Sequence, residues 1–262
     1  MGLTEGLRIL VTASTRGLGR GAAEVLLEEG ALVVINGRST ESVEKTLKEL
    51  RARYEGRVYG VAADITKRSE AYSLVERAVE YLGGLDSLVY VTGPPRPGTF
   101  LEVSDEEWEE NAKLLVFNAI WLVKAALPYL RRSRNPSIVL SSSIAVKEPI
   151  ENLALSNILR ISIHGLLKTL SRELGREGIR VNAVMPGYIE TDRIRRLIED
   201  KARREGVSFE EAYRSFSREI PLGRIGTPRE YGRVVAFLVS EYASYVNGAS
   251  IAVDGGLMRS VF

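Results

Sequence analysis

The chain has 262 residues, is 45% hydrophobic and 27% charged, and sets 36 Lys and Arg against 34 Asp and Glu for a net charge of +2. So even a balance argues against nucleic acid or a membrane surface as a partner. There is no cysteine, which excludes disulfides, thiolate chemistry and zinc ribbons, and the single histidine, His164, leaves no His-rich metal site.

The start MGLTEGLRIL lacks the apolar core of a signal peptide, and no run reads as a membrane span, so the cytosol is the expected location. Short β-branched runs then alternate with helical patterns to the end of the chain. Strands are predicted at 8–13, 31–36, 57–64, 86–92, 136–142, 179–184 and 250–254. They are almost continuously apolar, as strands buried on both faces are. Helices are predicted near 17–29, 40–53, 67–82, 104–131, 153–177 and 228–241, with Ser104–Glu107 and Thr227–Glu230 as capping boxes. This alternation implies one doubly wound α/β (Rossmann) domain over 1–262, with a seven-stranded parallel sheet and helices on both faces. The segment 192–219 stands apart as helical and polar. Its arginines, Arg193 among them, alternate with acids, which favours a solvated helical excursion over a site for an acidic substrate.

The first strand runs into VTASTRGLGRG and then a helix. Glycines at such a turn let backbone approach a pyrophosphate, and the helix N-terminus offers free N–H groups and partial positive charge. The strict G-x-G-x-x-G spacing is absent. At the end of the second strand Arg38 follows Gly37, where a carboxylate would bind a ribose 2′-hydroxyl; arginine instead suits a 2′-phosphate, and Arg16 in the loop is a second cation.

The stretch T-A-x-x-x-G-x-G, Thr12 to Gly19, resembles the T-G-x-x-x-G-x-G loop of short-chain dehydrogenases/reductases, with Ala13 for the first glycine. Asp64-Ile65, Gly93, the run GLLKTLSRELGREGIRVNAVMPGYIET (165–191) and AVDGG (252–256) follow in the family's order. The resemblance spans about 7–256 and is nearest to β-ketoacyl-acyl-carrier-protein-reductase-like members. It implies cofactor contacts at Thr12, Ser14, Arg16, Gly17, Leu18, Gly19, Arg38, Asp64, Ile65, Thr92, Gly93, Arg160, Pro186, Gly187, Ile189 and Thr191. It also implies NADP(H) in preference to NAD(H), no metal, and a homotetramer or homodimer, with Phe117, Trp121, Ile158 and Leu159 available to pair helices between subunits.

Family members work with an Asn-Ser-Tyr-Lys tetrad. Counting along the matched segments puts Ser156 at the Tyr position, Arg160 at the Lys position and Leu115 at the Asn position, so only Ser143 is retained. A serine hydroxyl is a far weaker acid than a phenol and is shorter. Arg160 can hold ribose hydroxyls or stabilise an alkoxide, but cannot release a proton near neutrality. The catalytic candidates are therefore Ser143, Ser156 and Arg160. Tyr188 is a possible phenol or a pocket wall, Asn118 a partial stand-in or a plain amide, and His164 an interface or core residue or an acid/base. Two functions follow: an oxidoreductase acting on a small carbonyl or alcohol with a non-standard acid/base site, or a nucleotide-binding sensor or structural subunit without turnover.

Overall fold

The structure, a computed structural model, describes residues 2–261. Seven strands form one parallel sheet: β1 (Arg8–Val11), β2 (Leu32–Gly37), β3 (Val58–Ala62), β4 (Ser87–Tyr90), β5 (Ser137–Ser141), β6 (Arg180–Pro186) and β7 (Ser250–Val253). Their order is β3-β2-β1-β4-β5-β6-β7, and every neighbouring pair is parallel. All seven expected strands are present. Successive side chains go to opposite faces: Leu10, Leu88, Ile138 and Val181 face one core, and Ile9, Val11, Val89, Val139 and Val184 face the other.

The first core is covered by α3 (Arg68–Leu82), α5 (Asn118–Leu130) and α7 (Ile161–Glu173), through Leu74, Leu122 and Leu167. The second is covered by α1 (Gly17–Glu28), α2 (Thr40–Arg51) and α10 (Pro228–Val239), through Leu26, Leu50 and Val235. Both expected capping boxes form, at Ser104 and Thr227. In length and hydropathy, 105–130 would suffice to cross a bilayer, contrary to the reading of the sequence. Ala119, Leu122, Val123 and Ala126 are nonetheless buried against the sheet, as in a core helix.

Two predicted helices are interrupted, and both interruptions lie at the carboxyl edge of the sheet. Between α4 (Asp105–Ala112) and α5, the turn Lys113–Phe117 is a π-helix. Such a bulge releases a carbonyl from the helical ladder and recurs at functional sites. Here the Leu114 carbonyl accepts from Asn118 Nδ2 at 2.6 Å and Thr92 Oγ1 at 2.9 Å. The expected helix over 153–177 divides at Arg160 into α6 (Ala154–Leu159) and α7, followed by a short 3-10 turn.

The excursion holds α8 (Asp192–Glu205) and α9 (Phe209–Glu219). It is not merely a solvated surface. Ile194, Ile198, Ala202, Ala212 and Ile220 bury one another and pack on Tyr188 and Phe216.

Candidate active site

Strand order reverses between β1 and β4, and a parallel sheet binds ligands in the crevice outside the carboxyl ends at such a point. The loop after β1 is held from within. Thr12 Oγ1 donates to the Val91 carbonyl at 2.5 Å and accepts from its N–H at 2.8 Å. Ser14 Oγ donates to Val11 and accepts from Asn36 N–H at 2.9 Å. Both hydroxyls are buried and committed, so these two residues shape the loop and have only backbone to offer a ligand. Asn36, which the sequence reading passed over, ties the loop to β3: its amide donates to Val61 and Ala63, and its oxygen accepts from Ala13 N–H at 3.1 Å.

Ala13 takes a left-handed φ of 45°, the conformation a glycine would hold more cheaply. At Gly19 a Cβ would stand 2.4 Å from the Ala13 carbonyl oxygen, so only glycine lets loop and helix approach this closely. The first turn of α1 carries no acid to compete for its positive end, and Leu18 packs on the second core.

Around this loop stand the other residues the resemblance marks. Thr191, just before α8, reaches the phosphate loop, with its Cγ2 3.5 Å from where a Gly17 Cβ would lie. Pro186 ends β6, Gly187 N–H bonds the Val253 carbonyl, and Ile189 is buried. Thr92 spends its hydroxyl on Leu114, whereas a Cβ at Gly93 would meet open space. Burial raises the Asp64 pKa, but bonds from the Thr66 hydroxyl and N–H, with Lys67 and Arg38 nearby, hold it below the usual value. Ile65 is core. Arg38 is exposed, and Arg16, also exposed, lies 3.7 Å from Asp192. At Gly37 a Cβ would come within 2.6 Å of the Thr15 methyl, so any larger side chain there would require Thr15 to shift.

The opposite side of the crevice is built differently. Ser143 caps a short 3-10 turn, its oxygen accepting from Ala145 N–H at 3.1 Å, which leaves its O–H to donate. Ser156 is buried and its hydroxyl has no partner among the described residues. One turn later Arg160 is only 8% exposed, without a hydrogen bond or acidic partner among the described residues. Burial lowers its pKa, while Tyr90 and Tyr231 oppose that shift. Both phenols are pushed up to about 12 by burial. Tyr90 donates to Asn118 Oδ1 at 2.9 Å. Tyr231, from α10, lies beside Ser141 with no aligned bond.

Asn118 is thus a buried clamp between Tyr90 and the π turn, and Leu115 is wholly buried within that turn. His164 is half-buried beside the sheet: its ring bridges the Ser142 hydroxyl at 3.0 Å and the Ser250 hydroxyl at 3.2 Å, and burial, with Lys147 and Lys168 nearby, lowers its pKa from the ordinary histidine value. Tyr188 stacks edge-on with Phe216 as a wall of the excursion. Neither Tyr231 nor Arg193 was singled out for the site by sequence, because only the tertiary fold brings each near Arg160.

Comparison with known proteins agrees with this geometry. A family model described as Enoyl-(Acyl carrier protein) reductase matches residues 12–258. The chain is 35% identical to dehydrogenase/reductase SDR family member 4 of Bos taurus, over 94% of this chain and 85% of that protein. It is 33% identical to the 3-oxoacyl-[acyl-carrier-protein] reductase FabG of Thermotoga maritima, over 97% and 98%. The chain belongs to the short-chain dehydrogenase/reductase family. It is an NAD(P)-dependent oxidoreductase of that family, with the family's parallel sheet. Among solved structures, an NADPH-bound short-chain oxidoreductase from Pseudomonas aeruginosa, described as containing an atypical catalytic center, superposes with a TM-score of 0.88 at 31% identity, over 98% of this chain and 100% of that one.

Proposed function

We propose that this oxidoreductase uses NADP(H) to interconvert a small carbonyl compound and its alcohol, with Ser143, Ser156 and Arg160 in place of the usual tetrad. The observation that carries the reading is the Arg160 guanidinium, buried and without a counter-ion, one helical turn from a buried hydroxyl that has no partner. Burying such groups unsatisfied costs several kcal/mol, by order of magnitude, unless something binds there.

The cradle formed by Ala13, Gly17 and Gly19, the acid-free start of α1 and the open space at Gly93 fit a nicotinamide dinucleotide. The exposed Arg16 and Arg38 would hold a 2′-phosphate, and the NADPH in the Pseudomonas aeruginosa neighbour supports that preference. Once bound, the cofactor supplies or accepts the hydride. Ser143 donates its O–H to the substrate oxygen and fixes its position. Arg160 places a permanent positive charge where that oxygen becomes negative, in a site poor in water. Ser156 accepts a proton from a water molecule, which leaves hydroxide to the solvent, while passing its own to the alkoxide oxygen, so that hydride and proton together give the alcohol. The α8–α9 pair covers the substrate side. The half-exposed Phe117 and Ile158 form the face through which copies of the chain assemble into a homodimer or homotetramer.

The test is single-turnover loss of NADPH absorbance across a panel of small carbonyl compounds, with wild type beside Ser143→Ala. Turnover abolished by that change supports the assignment. An unaffected rate moves the active site elsewhere, and no turnover with any carbonyl returns the chain to a binding role.

A further inference from the structure

A second arginine lies within electrostatic reach of Arg160. Arg193 lies in the first turn of α8, two residues after the Thr191 that touches the phosphate loop. It is half-buried, and no acid pairs with it among the described residues. Of the other cations of α8, Arg196 and Arg204 also have no ion pair among the described residues but are exposed, and the rest are paired. Arg195 pairs with Glu199 at 3.2 Å, Lys201 with Glu205 at 3.8 Å, and Arg203 with Asp200. The flanking acids turn away: Asp192 faces Arg16 and is exposed, and Glu190 is exposed.

Three costs meet at this residue. It is partly desolvated, it is repelled by Arg160, and it sits at the positive end of a helix. The first two lower its pKa to about 10, the desolvation being the larger. Arg160 has the same deficit from the other wall, being more than nine-tenths buried and unpaired. Two cations within electrostatic reach of each other and without a counter-ion leave a charge that one anion would relieve, and a forked carboxylate matches guanidinium geometry. The phosphates of the dinucleotide already have the α1 N-terminus and the two exposed arginines of the loop side.

We propose that Arg193 binds the carboxylate of an oxo-acid substrate while Arg160 faces its carbonyl oxygen, so that the cleft selects an anionic carbonyl compound over its neutral isostere. This deepens the carbonyl-reductase reading and rests on it for turnover, though not for binding. Arg193 is the specificity-determining residue, and its partner is the non-reacting end of the substrate.

Binding and turnover are measured separately. Acetoacetate and 2-oxobutyrate are compared with acetoacetamide for kcat/KM, and malonate is titrated into the enzyme–NADPH complex by calorimetry. Wild type is expected to prefer the acids at least thirtyfold and to bind malonate more tightly than inorganic phosphate. Arg193→Gln should erase both effects with NADPH affinity within threefold of wild type, and Arg193→Lys should restore part of each. Malonate binding that depends on Arg193 in an enzyme that reduces no carbonyl supports the anion site and overturns only the catalytic reading. Malonate binding indifferent to Arg193 overturns the proposal. So does an Arg193→Gln enzyme that loses NADPH affinity tenfold with its acid-to-amide ratio unchanged, since Arg193 would then hold the pyrophosphate. Phosphate binding tighter than malonate overturns the carboxylate assignment.

Discussion

The two walls of one crevice are built on opposite terms. On the phosphate-loop wall Thr12, Ser14 and Asn36 bond to backbone, and the loop is fixed without any ligand. On the opposite wall the Ser156 hydroxyl has no partner and Arg160 no counter-ion, and Arg193 at the start of α8 has none either, among the described residues. The first wall spends its polar groups on a rigid cradle; the second keeps them for something that arrives. Satisfied polar groups stabilise a fold, whereas orphaned ones destabilise it and persist where a bound molecule completes them.

Changes on the two walls should therefore have opposite signatures. The largest effect is expected at Arg160. Arg160→Ala should slow single-turnover oxidation of NADPH by about 100- to 1,000-fold, the loss typical of removing a preorganised electrostatic donor. In wild type the rate should stay flat from about pH 7 to pH 9. The phenols of Tyr90 and Tyr231, raised to about 12, remain protonated there, and burial favours the neutral ring of His164. An ascending or descending limb inside that range would place a titrating acid/base in the site and break the comparison.

On the rigid wall, Asn36→Ala should destabilise the fold by about 2–3 kcal/mol, because the Ala13 N–H and two β3 carbonyls lose a partner at once. Denaturant unfolding measures this, and a change under about 0.5 kcal/mol would mean the loop does not depend on that tie. Arg38→Ala should weaken NADPH relative to NADH by about tenfold, one charge-assisted bond of roughly 1.5 kcal/mol, read by calorimetry. An unchanged ratio would remove Arg38 from the cofactor site. The smallest effect should come from Ala13→Gly. Relief of the left-handed φ is offset by the greater freedom of glycine in the unfolded chain, leaving a gain of about 1 kcal/mol or less.

The same contrast marks what was legible in the sequence. The seven strands were legible because burial on both faces leaves unbroken β-branched runs, and the phosphate loop was legible because close approach requires glycine at Gly19. The π turn at Lys113–Phe117 was not, since one extra residue in a helical turn leaves the apolar pattern almost unaltered. Nor was the break at Arg160, where no proline or glycine interrupts the helix. The excursion's apolar stripe, Ile194, Ile198 and Ala202, has helical spacing but was masked by the surrounding arginines, which directed attention to charge. Tyr90, at the end of β4, reads in the sequence as part of an apolar strand, and its phenol reaches the π turn through Asn118 in three dimensions alone.

The most direct test of the account is the unfolding free energy of Arg160→Met, measured on the cofactor-free protein beside its single-turnover rate. An apolar side chain of similar length removes a buried charge that has no partner. The variant should be more stable than wild type by about 1–4 kcal/mol while its turnover collapses. A variant less stable than wild type that kept its rate would show that Arg160 holds the fold together rather than waiting for substrate, and the account would be wrong.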